Sequence, residues 1–248
     1  MPLSLIALVA LAGSVATADT TAEDIVRMMH DRYDGKWPTE VTFVQASTFL
    51  TGDSSHVETW YEATGSPSKL RIDFAPIDSG NAIIFRNDSI YQFKSDSLVA
   101  AVAEIHPLMV LSRDVYVLPV ERTMEKLRTL GFDLSKVHEE TWQGRPAYVV
   151  GADPGEIKAK QFWVDKENLL FVRMREPFQQ DPKKMQEVQF NKYRQLGDGW
   201  IETEVVVLID GRPVFTETYD QIREAPELTE ELFDPRSWGR PGWVKEKS

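Results

Sequence analysis

Residues 199–222 read GWIETEVVVLIDGRPVFTETYDQI. β-Branched and aromatic residues crowd both sides of Asp210-Gly211, a dipeptide suited to a tight type I′ turn, so the stretch reads as two long antiparallel strands. With those two residues as the loop, Val207 faces Val214, Val205 faces Thr216 and Thr203 faces Thr218, and this face carries no charge from Ile201 to Ile209. Side chains alternate along a strand, which gathers Glu202, Glu204 and Glu217 on the opposite face, Glu204 directly across from Glu217. The expectation is a solvated face of glutamates and an apolar face, carrying Val205 and Val207, that something must cover.

The same alternation runs through most of the chain. VTFVQASTFL, HVETWYEA, KLRIDF, AIIFR and IYQFK follow one another between turn signals such as Thr51-Gly52-Asp53 and Asn87-Asp88, an antiparallel meander. Leu70, Ile72 and Phe74 oppose Lys69, Arg71 and Asp73. Tyr91 and Phe93 oppose Gln92 and Lys94, and Phe162 and Val164 oppose Gln161 and Asp165. Each strand therefore has one wet and one apolar side. About twelve such strands cannot remain flat, so the sheet either curls into a half-barrel around helices or splits into a sandwich. Helical spacing appears in TTAEDIVRMMHDRYDG, with Thr21 as cap and Asp24 three residues on. It appears again across residues 97–131, in SLVAAVAEIHPLMVL and VERTMEKLRTLG, interrupted by Pro107 and Pro119, and in the short LTEELF near the C-terminus. With no low-complexity linker and no fixed-period repeat, residues 19–248 read as one domain.

Composition narrows the function. Of 248 residues 42% are hydrophobic, enough for a real core, and 39 acidic against 28 basic residues give a net charge of −11. That charge opposes binding to nucleic-acid phosphates or anionic lipid headgroups. Residues 3–18 are uncharged and apolar and end in Ala16-Thr17-Ala18, which reads as an export signal over 1–18 cleaved before Asp19 and too short for a bilayer span. There is no cysteine, hence neither disulfide nor lipid attachment. Catalytic signatures are missing too: no G-x-S-x-G elbow, no P-loop and no G-x-G-x-x-G. His30, His56, His106 and His138 lie far apart, outside any H-x-x-x-H spacing, so no metal site is expected. Trp60, Trp163 and Trp200 alternate onto the charged side of their strands. The chain reads as a binding protein without catalytic residues, metal or cofactor.

Three stretches carry a family resemblance: WYEATGSPSKLRIDF followed by IIFRNDSIYQF; QFWVDKENLLFVRMR; and the opening hairpin leading into APELTEELFDP. Together they resemble the periplasmic outer-membrane lipoprotein carrier and sorting proteins of the LolA/LolB-like superfamily. The resemblance implies an α+β fold, a single strongly curved antiparallel sheet forming an incomplete β-barrel, with helices covering the concave face. It also implies a soluble periplasmic location and a cavity for a lipid or an acylated lipoprotein, with inner- or outer-membrane envelope proteins as further partners. Family carriers often place an arginine before the proline of the early strand motif, where it helps hold the lid closed; that position here is Ser66, before Pro67. The same fold serves envelope sensors and scaffolds that act through protein contacts, which stands as the alternative. On the carrier reading, Phe43, Leu70, Ile72, Phe74, Tyr91, Phe93, Phe162, Val205 and Val207 form the apolar wall, and Met28 and Met29 sit on a helix that covers it.

Overall fold

Thr21 begins the first helix, α1 (Ala22–Tyr33), by a reciprocal cap: its hydroxyl accepts from the Asp24 backbone N–H at 3.1 Å, and the Asp24 carboxylate accepts from the Thr21 N–H at 2.9 Å. Ile25, Val26, Met29 and Tyr33 then fall on one buried stripe. The structure, a computed structural model, describes residues 20–244, so the export signal expected over 1–18 lies outside the described residues.

After α1 the chain runs up and down through β1 (Glu40–Thr51), β2 (Ser54–Gly65), β3 (Lys69–Phe74), β4 (Ala82–Arg86), β5 (Ser89–Lys94) and β6 (Ser97–Ala103). A helical segment follows, made of α2 (Pro107–Ser112), a 3-10 turn (Asp114–Tyr116) and α3 (Val120–Thr129). Strands resume as β7 (Val137–Trp142), β8 (Arg145–Val150), β9 (Gln161–Asp165), β10 (Phe171–Phe178) and β11 (Asp181–Asn191). A small separate hairpin, β12 (Arg194–Leu196) and β13 (Gly199–Ile201), precedes the long pair β14 (Glu204–Ile209) and β15 (Arg212–Glu224). Two 3-10 turns, Glu230–Phe233 and Pro235–Ser237, lie in the C-terminal segment.

Thirteen of these strands form one antiparallel sheet in the order β6-β5-β4-β3-β2-β1-β15-β14-β11-β10-β9-β8-β7. The sheet does not close, since β6 and β7 end it. It is the incomplete barrel with helices that the resemblance implies. The segment 97–103 corrects the helical expectation, because SLVAAVA is an edge strand paired with β5. Alternation is hard to see there: alanines fill three of seven positions and a bulge near Gln92 shifts the register. Helical structure begins only at Pro107, which occupies the first turn of α2 where its missing N–H costs nothing.

The opening hairpin is also corrected. Its turn falls at Asp210-Gly211, both with positive φ, flanked by Ile209 opposite Arg212 and Leu208 opposite Pro213. Beyond Leu208 the register slips by one, so Val207 pairs with Phe215 and Val205 with Glu217, leaving Val214 as a bulge. Every β15 side chain past the bulge thereby changes face. Glu217, expected outside, shares the face of Val205, and Glu202 is buried at 2% exposure. Glu204 keeps the outer position and meets Lys192 at 2.5 Å.

Following the pairings across the sheet identifies the concave face. Phe162 pairs with Met174, Met174 with Val188 and Val188 with Val207; Val207 continues through Phe215 to Phe49 on β1. The three helical elements pack onto its β8–β11 and β14 side, where Met29, Leu111, Tyr116, Leu127, Phe162 and Phe171 are all fully enclosed. Val205 is 2% exposed within this core, so Val205→Asp should cost about 3 kcal/mol or more by stranding a charge among apolar side chains. Val206→Asp, one residue along on the opposite face, should stay within about 1 kcal/mol of the parent. Denaturant unfolding of the two variants checks the face assignment, and equal losses would contradict it.

Candidate functional site

The lid is the segment from α2 to α3, and three polar latches tie it to the sheet. Asp114, 1% exposed, accepts from the Ser68 backbone N–H at 2.7 Å and from the Ser68 hydroxyl at 2.6 Å. Lys126 on α3 pairs with Asp88 in the β4–β5 turn and lies 3.9 Å from Asp114. From the same segment Arg113 donates to Glu202, ahead of β14, at 2.7 Å. Burial raises the Asp114 pKa, and the Ser68 and Lys126 contacts offset part of that rise. The early-strand position where family carriers place an arginine holds Ser66, and Ser68, two residues on, fixes the lid through Asp114.

Beneath Arg113 the concave face is acidic. Glu62 on β2 lies opposite Phe43 and Ile72, and Glu217 on β15 lies between Val205 and Ser47. Glu62 is 5% exposed, and burial, reinforced by Glu217, pushes its pKa well above the ordinary carboxylate value while Arg113 pulls it back. Glu217 accepts from the Tyr219 hydroxyl at 2.6 Å, and Tyr219 in turn stacks on Phe43 with ring centres 4.5 Å apart. Although some of its surface reaches solvent, the enclosure around Glu217 lifts its pKa to about 7, desolvation first and the Glu202 charge adding to it. Burial works against the Arg113 charge, but Glu202, with Tyr219, Tyr193 and Glu62, outweighs it, so the guanidinium keeps its proton. Among the described residues no group of three or more histidines and carboxylates has the arrangement of a metal site.

The residues named from sequence divide into three sets. Phe43, Leu70, Ile72, Phe74, Phe162, Val205 and Val207 share the concave face by register. Met29 is enclosed in the main core with Phe162 and Val205, and Met28 packs against its margin. Tyr91 and Phe93 do not join them: Tyr91 pairs with Ile84, which pairs with Arg71, and Phe93 pairs with Ala82, which pairs with Asp73. These two aromatics therefore lie on the convex face. That face is not wet there because the C-terminal segment covers it. Trp238 stacks on Phe93 at 4.0 Å, and Arg71 reaches Asp73 twice at 2.8 Å and the Gly239 carbonyl at 2.7 Å.

Sequence reasoning missed Arg113, Asp114, Lys126, Glu62, Glu202 and Glu217. One clue was present: in HVETWYEA, alternation groups Glu58 and Glu62 with Trp60, and Trp60 pairs with Phe74 on the concave side. On β2 the charged face is the inner one.

The architecture is a curved, unclosed antiparallel sheet whose inner face is partly covered by a latched helical segment, and solved structures share this fold. The fold is similar to that of a DUF1329 family protein from Desulfovibrio piger (14% identity, TM-score 0.57, covering 88% of this chain and 98% of that one). It is similar as well to a LolA superfamily protein from Nitrosomonas europaea (12% identity, TM-score 0.54, 87% and 98% covered). A third structure, named as an outer membrane lipoprotein-sorting protein domain and from Vibrio parahaemolyticus, aligns with TM-score 0.59 at 12% identity over 86% and 96% of the two chains. No protein-family model matches the sequence, and no curated protein matches it. The likeness is one of fold.

The raised pKa of Glu217 has a pH signature. Its folded value of about 7 exceeds the ordinary 4.5, so the folded state favours the protonated form; this contribution is fully present below about pH 4.5 and is lost as pH rises through 7. Glu217→Gln should therefore match the parent near pH 4.5 and exceed it near pH 8 by up to about 3 kcal/mol. Thermal melts across that range check it, and parallel pH profiles for parent and variant would contradict it.

Proposed function

We propose that the protein is an exported, non-catalytic carrier that holds a lipid or acylated ligand, of the lipoprotein-sorting type, against its concave face. One observation carries this reading: the apolar inner surface does not stop at the lid. Val207, under the helices, pairs with Phe215, and Phe215 packs on Phe49 at 4.8 Å and on Trp60 at 5.9 Å; Trp60 meets Phe74 edge-on at 5.1 Å. Phe49 is 36% exposed, so this aromatic run reaches solvent. A hydrocarbon chain can enter along the aromatics and extend under the lid as the helical segment lifts, replacing the contacts of Met29 and Leu111 with its own. Latches of hydrogen bonds and ion pairs suit such a lid, because water replaces them at little net cost when they open. Among the described residues no helix is long and apolar enough to cross a membrane, in keeping with a carrier that moves through an aqueous compartment. The sorting domain of similar fold supports the same role, and the partners would be acylated lipoproteins and the envelope proteins that deliver or receive them.

A chain-length series tests the reading. Neutral monoacylglycerols from C8 to C16 should bind progressively tighter, by about fourfold per methylene, until the cavity is full. Since the sequence has no cysteine, the pair Ser68→Cys and Asp114→Cys can lock the lid. The oxidised lock should weaken the longest ligand by at least about tenfold, with reductant restoring it. Uniformly negligible affinity across the series, or an oxidised lock that changes nothing, would overturn the carrier reading.

A further inference from the structure

The face of β7–β10 turned away from the helices holds a recess of its own, and strand alternation places it. Phe162 and Val164 lie in the main core, so Trp163 and Asp165 point outward, with Ala147 across from Asp165 and Trp142 across from Arg145 on the neighbouring strands. The separate β12–β13 hairpin contributes Trp200 to the wall, and the chain leaving β11 contributes Tyr193. Together they enclose a cavity of about 300 Å³. That is the small end of the range for ligand pockets, about 300–1,000 Å³, and suits one or two sugar-sized rings.

The wall is held in place by its own contacts. Arg173 lies 4.2 Å from the Trp142 ring and 4.7 Å from the Trp163 ring, and is itself held by Glu187 at 2.6 Å. The Tyr193 hydroxyl donates to the Phe171 carbonyl and the Tyr33 hydroxyl to the Asn168 carbonyl, each at 2.6 Å, and the Gln143 amide donates to Asn191 at 3.0 Å. Side chains set in this way lose little freedom on binding. The charges are paired as well. Asp165, 5% exposed, accepts from Arg145 and from the Asn168 N–H, both at 2.8 Å; Arg145 also reaches Glu167 at 3.1 Å, and Lys192 meets Glu204 at 2.5 Å. Each charged side chain of the wall thus meets an opposite charge, and the recess favours neither an anion nor a cation.

What it offers a ligand is aromatic rings beside planar polar groups. Trp142, Trp200 and Tyr193 are half-buried and present flat apolar faces to C–H groups. Gln143, Asn168 and Asn191 carry donors and acceptors side by side, as the Arg145–Asp165 pair does, and this spacing matches adjacent hydroxyls. An uncharged ring with C–H groups on its faces and hydroxyls around its rim satisfies both. We propose that this recess is a binding site for a neutral pyranoside of one or two rings. It lies on the opposite side of the sheet from Phe49 and Phe215, so it stands or falls independently of the carrier reading.

Isothermal titration calorimetry tests the site, using the methyl glycosides of glucose, galactose, mannose and N-acetylglucosamine together with maltose, cellobiose and N,N′-diacetylchitobiose. The best of these should bind with a Kd at or below about 1 mM. Sorbitol, which has hydroxyls but no ring face, should bind at least about tenfold more weakly, and so should the charged sugars glucosamine and glucuronate. Trp200→Ala and Gln143→Ala should each weaken the best ligand, the first by at least about tenfold and the second by about threefold, while Gln92→Ala on exposed β5 should leave it unchanged. Gln143 is exposed in a turn, so its variant stays informative if Trp200→Ala fails to fold. Failure of the whole panel to bind, sorbitol binding equally well, a charged sugar binding best, or affinity that survives in the folded variants would each overturn the site.

Discussion

A sheet that curls without closing has an inner face and nothing of its own to bury it against. Thirteen strands from β6 to β7 would need those two edges to meet before the concave side could fill itself with its own side chains. The helices supply the missing cover instead. α1, α2, the 3-10 turn and α3 bring Ile25, Met29, Leu111, Tyr116 and Leu127 onto Phe162, Phe171 and Val205, and Tyr116 also accepts from the Phe171 backbone N–H at 3.0 Å. Only part of the face is covered this way. Phe49, Trp60, Phe74 and Phe215 continue it beyond the helices, and the proposed carrier role rests on that boundary between covered and open apolar surface.

A second constraint runs across the first. Fully apolar contact between lid and sheet would fasten the lid permanently, since each buried side chain adds about 1.5 to 3 kcal/mol. The structure intersperses polar contacts among the buried Leu111, Tyr116 and Leu127 of the lid: Asp114, Lys126 and Arg113 meet Ser68, Asp88 and Glu202. Buried carboxyls carry a cost, visible in the upward shifts of Glu62, Glu202 and Glu217, and that cost weakens the closed state relative to an open one in which water reaches them. On the proposed carrier reading, that cost brings closed and open lids nearer in free energy, the condition under which a ligand of modest affinity can shift the balance.

Much of the architecture was legible because it depends on local pattern. The Thr21–Asp24 cap, the alternation in KLRIDF and QFWVD and the turn at Asp210-Gly211 each declare themselves within a few residues. What failed were properties set by long-range pairing. Alternation shows that Tyr91 and Phe93 share a face, but only the pairing through Ile84 to Arg71 reveals which face, and a C-terminal strap headed by Trp238 makes the convex side apolar there. The Val214 bulge leaves no mark in VFTETYD, yet it turns Glu217 inward and converts an expected apolar wall into one with an acidic centre. SLVAAVA has no polar residue after Ser97 to set a period, so strand and helix were spelled alike.

Hydrogen exchange resolved along the chain addresses the central claim, a lid that opens over an intact sheet. Amides of residues 107–129 should exchange through an opening whose free energy lies well below that of global unfolding, while those of β1, β10, β11 and β14 exchange only when the whole molecule unfolds. A single shared free energy for the helical segment and the strands would mean that the helices are a fixed part of the core, and would contradict the account.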